Sequence, residues 1–420
     1  MTITLVPPSP VLPAPVRPDP LGVLGVPGEI NLDHAASAPS ARAAADAVAG
    51  LLPWYASVHR GAGALSRRCT LAYERARQTV GDFLGARPDD HVIFTRNTTD
   101  ALNLLARALP AGTTVITFGG EHHANLLPWP RGSVRLPVPD SPAGAIRSLA
   151  AALGELARDA RPGLPVLVAV TGAGNVTGEC WPVAELARVA HRHGARILVD
   201  AAQLAPHAPV DLAALDVDYV ALSGHKLYAP FGAGVLAGRA DWLDAAPPYL
   251  AGGGATSHVG AATHEVRWTT GPARHEAGTP NLLGAVALAA VCEALGEADR
   301  QALHVREQAL LTRLRRGLAT LPDVVELRTF GPDAPRVGIV SFVVAGRDSA
   351  EVAAHLASRH RIGVRDGLFC AHPLTRRLLA EAAARTGRTD LPPTALRASL
   401  GLGTTEAHVD ALVTALSHLP

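Results

Sequence analysis

Of the 38 Lys and Arg side chains in this chain, 37 are arginine and one is lysine, Lys226, in the stretch SGHKLY (223–228). Lysine can do one thing arginine cannot: lose its proton near neutral pH and attack a carbonyl as an amine. A chain whose composition has drifted toward arginine keeps a lysine where that chemistry is required, or by chance on its surface. Two other groups occupy comparable positions. Asp200 closes the apolar run ILVD, and RNTTDALN (96–103) follows VIFT, with Thr98 and Thr99 where a helix would begin. Backbone N–H groups and two hydroxyls at a helix N-terminus suit an anion such as phosphate. Most such threonines merely cap their helix.

Together these three groups match the needs of pyridoxal phosphate. Its aldehyde takes an amine, its pyridine nitrogen a carboxylate that keeps it protonated, and its phosphate a helix N-terminus.

The elements that must position them follow from apolar periodicity. HVIFT (91–95), TTVITF (113–118), PVLVAV (165–170), ARILVD (195–200) and DYVALS (218–223) read as buried strands. Segments such as VAELARVAHRHG (183–194) have helical spacing and a terminal Gly. Alternating strands and helices predict a mainly parallel sheet, with ligands beyond the carboxyl ends of its strands. Lys226, Asp200 and Thr98–Thr99 all fall at such ends. From about residue 296 the pattern changes to a long Arg-rich helix, a strand near GIVSFVV (338–344), then helices and loops. The expected organisation is a Pro-rich flexible tail (1–28), a large α/β domain (29–295) and a smaller α+β domain (296–420).

Composition excludes several classes. A formal charge of +1 gives no basic field for nucleic acid. No run of about 18 apolar residues free of charge or proline suggests a membrane span, and the N-terminal segment lacks the basic region of a signal peptide. Cys69, Cys180, Cys292 and Cys370 are scattered, with no CxxC pair. No metal site or disulfide framework is expected, and a reducing cytoplasm fits best.

The sequence resembles the class V, fold-type I pyridoxal-phosphate enzymes of the cysteine desulfurase and selenocysteine lyase group. The resemblance runs from INLDHAASAPS (30–40) to LRASLGLGTTEAHVD (396–410), through VHRGAGALS, RNTTDALN, GGEHHANLLPW, GNVTGE, ILVDAAQLAPH, SGHKLYAPFGAG, GGG, HEAGTPN and VRDGLFCAHPL. It implies roles position by position. Lys226 would form the imine and Asp200 would pair with the pyridinium. His123 would stack on the ring and shuttle protons, and Gln203 would contact the phenolate oxygen. Ser223, His225 and Thr98 or Thr99 would hold the phosphate, helped by Thr279 from a second subunit. Asn175 and Arg397 would bind the substrate carboxylate. His59 and Arg60 would join the substrate-binding residues from across the twofold axis of a homodimer.

Imine formation at an L-amino acid permits transamination, racemisation, β-elimination or desulfuration. Cys370 discriminates. The resembled desulfurases carry a loop like R-x-G-H-H-C-A-x-P, and here it reads RDGLFCAHP (365–373). The cysteine and its frame are present, but Leu368 and Phe369 replace the two histidines. A desulfurase needs a thiolate that takes the substrate sulfur as a persulfide, releases alanine and passes the sulfur to an acceptor protein. That thiolate needs an exposed, electropositive setting. The expected function is cysteine desulfurase. The alternatives are an aminotransferase, lyase or epimerase in which Cys370 only packs, and a cofactor-binding protein without turnover.

Overall fold

The computed structural model describes residues 19–159, 164–262 and 264–420. A seven-stranded sheet forms its centre. The strand order is Asp90–Thr95, Gly234–Arg239, Tyr219–Ser223, Arg196–Asp200, Val166–Thr171, Thr114–Phe118 and Val134–Leu136. Only Gly234–Arg239 runs against its neighbours; the five strands beyond it pair in parallel. Helices cover both faces, so the inner strands are buried along almost their whole length. That double burial is why they read as unbroken apolar runs rather than as alternation.

All five expected strands form. Gly234–Arg239 and Val134–Leu136 were not foreseen: the first is interrupted by glycine and the second is a three-residue edge strand. The helix expected after residue 183 spans Val183–Arg192 and buries Val183, Leu186, Ala187, Val189 and Ala190. It stops at Gly194, whose φ of +69° is a left-handed value that glycine adopts without strain.

A second, antiparallel sheet has the order Val324–Glu326, Ile339–Val344, Ala395–Ser399, Arg365–Gly367. Leu310, Leu314 and Leu318 of helix Arg300–Ala319, with Val409 and Leu412 of helix Glu406–Ser417, pack into one apolar cluster with Val340, Phe342 and Leu396. Helix His372–Thr386 packs Leu374, Leu378 and Ala382 in a different cluster with Val343 and Ala395. Residues 1–18 of the expected Pro-rich tail lie outside the described residues. Within the rest of that segment, Val23 already bridges Ala41 and Leu24 N–H donates to Ser40 O, so packing begins before residue 29.

Candidate active site

The register of the central sheet sets Thr171 beside Asp200, and Asp200 beside Ala221, at the carboxyl ends of three strands. A cavity of about 240 Å³ opens there. Gly234 is what lets the anion cradle form. It pairs with both Thr95 and Ser223, and a Cβ on it would lie 2.5 Å from Asn97 Cα. Without that side chain the 96–98 turn crosses the strand ends. Thr98 then reaches Ser223, its N–H 2.8 Å and its Oγ1 2.7 Å from Ser223 Oγ. Asn97 caps the helix Thr98–Ala108 by accepting Asp100 N–H. Thr98, Thr99, Ser223 and His225 all line the cavity at that N-terminus.

Lys226 lines the cavity two residues beyond Gly224. Burial lowers its pKa to about 8, partly opposed by the Asp200 carboxylate. About a tenth of the amine is therefore free at pH 7, far more than for an ordinary lysine, and carbonyl attack requires the free amine. Asp200 is buried and pushed upward by desolvation, against the N–H of Ala202 and the charge of Lys226. Gln203 also lines the cavity, its amide fixed by donating to Ala35 O at 2.8 Å.

The substrate end is built by Arg397 and Asn175. Arg397 comes from strand Ala395–Ser399 and is buried. Its Nη1 donates to Asn175 O at 2.9 Å and its Nη2 to Asp33 Oδ1 at 3.2 Å. Its Nε is buried with no partner among the described residues. An unpaired buried donor is costly, and a carboxylate entering the cavity would satisfy it. Asp33 and Arg365 were not anticipated. Arg365 lines the cavity and lies 3.7 Å from Asp33 Oδ2, so a second guanidinium faces the same region.

One expectation is corrected. His123 does not line the cavity; His122 does. The reason is local. His122 Nδ1 accepts Ala124 N–H and caps the short 3₁₀ turn His123–Asn125, which fixes its ring inward. His123, one position on, faces His372 instead. Burial, with Lys226 nearby, lowers the His122 pKa to about 3, so its imidazole is neutral.

His59, Arg60 and Thr279 also stay out of the cavity. His59 bonds Glu74, while Arg60 packs against Gly253 and Gly254. Gly278, next to Thr279, donates its N–H to Gly253 O. Arg60 and the Gly278–Thr279 corner thus meet in one patch, although the sequence separates them widely.

Cys370 lines the cavity and is exposed. It lies within electrostatic reach of both Lys226 and Arg397. Phe369 and Cys370 have φ of 52° and 51°, a left-handed pair without glycine that costs on the order of 1 kcal/mol or more per residue. The neighbouring carbonyls are captured in compensation. Thr375 Oγ1 donates to Leu368 O, Asn175 Nδ2 to Phe369 O at 2.7 Å, and His123 N–H to Cys370 O at 2.8 Å. Phe369 itself is buried in the apolar cluster under helix His372–Thr386. Phe369, immediately before the cysteine, therefore anchors its loop.

The model of the family described as aminotransferase class-V matches residues 30–412. The chain is 37% identical over 401 residues to a cysteine desulfurase of Dickeya dadantii, covering 92% of this chain and 91% of the relative. It is 35% identical to a probable cysteine desulfurase of Synechocystis, covering 85% of each. Among solved structures, the apo cysteine desulfurase of Thermococcus onnurineus superposes with a TM-score of 0.79 at 32% identity, over 92% of this chain and 94% of that one. A cysteine desulfurase of Escherichia coli gives 0.76 at 32% identity, over 93% and 94%.

Proposed function

Starting from a chain that belongs to the aminotransferase class-V family, we propose that it is a pyridoxal-phosphate-dependent cysteine desulfurase. It would convert L-cysteine to L-alanine and hold the sulfur on Cys370 as a persulfide. The observation that carries this reading is the placement of Cys370 in the same cavity as Lys226 and Arg397.

The residues present fit the cofactor. Lys226 would bind its aldehyde and Asp200 its ring nitrogen. Thr98, Thr99, Ser223 and His225 would hold its phosphate at the start of helix Thr98–Ala108, and Gln203 would face its ring oxygen. Once bound, pyridoxal phosphate supplies the electron sink that makes bonds at an amino acid's Cα and Cβ breakable. The chain does the rest. Arg397, through its unpaired Nε, and Arg365 would orient the substrate carboxylate, with Asn175 keeping Arg397 in place. His122, held neutral, would face the ring without adding a charge beside Lys226. The Lys226 amine would take and return the Cα proton. Cys370 would attack the substrate sulfur from the mouth of the cavity.

Incubation with L-cysteine, with alanine, sulfide and pyridoxamine phosphate measured separately, tests the reaction. Alanine and sulfide with the cofactor unchanged support desulfuration. Conversion to the pyridoxamine form with release of a keto acid would replace that reading by transamination.

The active form is a homodimer in this reading. His59, Arg60 and Thr279 were expected to reach the site from a second subunit, and in one chain they sit outside the cavity. A fully active monomer by light scattering at assay concentration would contradict it. The acceptor of the sulfur would be a protein thiol reaching the exposed Cys370. No helix among the described residues is long and apolar enough to cross a membrane. The described cysteines are all unpaired, which supports the reading of a reducing, cytoplasmic setting.

A further inference from the structure

We propose that Glu121 is a positioning residue of the active site, an uncharged acid that fixes the His122 turn to the strand end beside Asp200. That role depends on the cofactor site proposed above, because His122 and Asp200 both act there on the cofactor ring.

Glu121 is fully buried and does not itself line the cavity. Its two carboxyl oxygens reach two residues that shape the cavity wall. Oε1 accepts Thr171 N–H at 3.1 Å. The sheet leaves that donor free: the pairing of Thr114–Phe118 with Val166–Thr171 ends at Ile116 and Val168. Thr171 lies beyond, and the Glu121 carboxyl takes the place of the missing strand. On its other side Thr171 is in register with Asp200, and both line the cavity.

Oε2 accepts Asn125 Nδ2 at 2.8 Å. Asn125 is buried and closes the turn that carries His122, its N–H donating to His122 O at 2.8 Å. The indole of Trp129 donates to Asn125 O at 2.8 Å and holds the turn from below. Glu121 also donates its own N–H to Phe118 O, at the end of the adjoining strand. One side chain therefore bridges the turn that aims His122 and the strand beside Asp200.

The bridge works best without a charge. No cation pairs with Glu121 among the described residues, whereas Lys226 lies within electrostatic reach of Asp200. Two buried carboxyls this close do not both ionise readily. Lys226 draws the negative charge to Asp200, where the ring nitrogen needs it, and the proton stays on Glu121. Asn125 Oδ1 is buried with no partner among the described residues, and a protonated Glu121 offers it a donor. Desolvation, with Asp200 adding to it, points the same way and holds the Glu121 carboxyl well above the usual range.

The test uses the full chain loaded with pyridoxal phosphate, without substrate, at pH 7. The parent is compared with Glu121→Gln and Glu121→Met. Gln keeps an acceptor for Thr171 N–H and a donor for Asn125 Oδ1, as a protonated carboxyl does. Met fills similar space with neither. Visible circular dichroism per bound cofactor reports how the ring is held, and the cofactor dissociation constant is measured beside it. Urea unfolding of the cofactor-free chains reports the fold separately. Glu121→Gln should match the parent within about twofold in both cofactor readouts, since one neutral hydrogen-bonding group replaces another. Glu121→Met should lose about half of the dichroism or more and bind cofactor about tenfold more weakly, as expected for a buried donor left unpaired.

A Met variant that is less stable in urea but matches the parent in both cofactor readouts overturns the proposal, because Glu121 then serves only the fold. A Gln variant as impaired as Met overturns it too, because the carboxylate charge is then what matters. If Glu121→Met does not fold, Asn125→Ala cuts the same bridge from its other end under the same criteria. Either failure leaves the desulfurase reading intact, which alanine release decides; a parent that takes up no cofactor would remove the site itself.

Discussion

The ring of Phe369 lies 5.1 Å from the guanidinium carbon of Arg397. Asn175 closes the triangle: its amide donates to Phe369 O, and its own carbonyl accepts from Arg397 Nη1. The residue beside the proposed nucleophile and the proposed carboxylate anchor are thus locked to each other. A cation over an aromatic face contributes about 0.5–2 kcal/mol, more when desolvated.

Phe369→Ala removes both the packing and the cation–π contact. It should lower stability by about 3 kcal/mol, within the range for a buried aromatic truncated to alanine. It should also raise KM for L-cysteine several-fold, because Arg397 loses one of its supports. Urea unfolding and steady-state kinetics read the two effects. Loss of stability with an unchanged KM would mean that Phe369 supports only the loop.

Glu121 gives a pH-dependent stability effect. Its carboxyl is fully buried, accepts Thr171 N–H and Asn125 Nδ2, and has its pKa raised to about 8 by desolvation. Asn125 Oδ1 is buried with no partner among the described residues, so a protonated Glu121 has an acceptor beside it. Folding binds a proton between the ordinary carboxylate pKa and about 8. The stabilisation is complete below about pH 4.5 and is lost as pH rises through 8. Glu121→Gln should remove that slope. The difference in unfolding free energy between parent and variant should move in favour of the variant from pH 5 to pH 8.5. A pH-independent difference would contradict the assignment.

Lys226, as the single lysine, offers a clean chemical test of the cofactor site. Protein purified with pyridoxal phosphate should be yellow, and borohydride should abolish the colour. The reduced pyridoxyl adduct should map to the peptide containing Lys226. A cofactor-loaded protein with no adduct on that peptide would remove the basis of the site.

Much of this site is legible in the sequence because strand ends are. Asp200, Ser223 and Lys226 fall where apolar runs stop, and a parallel sheet puts ligands at such ends. The Asp33–Arg397 pair was not legible, since its partners are 364 residues apart and meet only when Ser399 N–H bonds Leu32 O. The choice between His122 and His123 was equally hidden. It depends on which ring caps a three-residue turn, and spacing alone does not distinguish two adjacent histidines. Leu368 and Phe369 suggested a poor setting for a nucleophile. The structure gives Phe369 a packing role in the apolar cluster under helix His372–Thr386.

The most direct measurement is alanine release from L-cysteine by Cys370→Ala. Binding of the cofactor and of the substrate carboxylate depends on Lys226, Asp200 and Arg397, whereas moving the sulfur needs a second nucleophile. The variant should keep pyridoxal phosphate on Lys226 and lose alanine release by about 100-fold or more, as for other deleted covalent nucleophiles. Alanine release at the parent rate would contradict the account and reduce Cys370 to a packing residue.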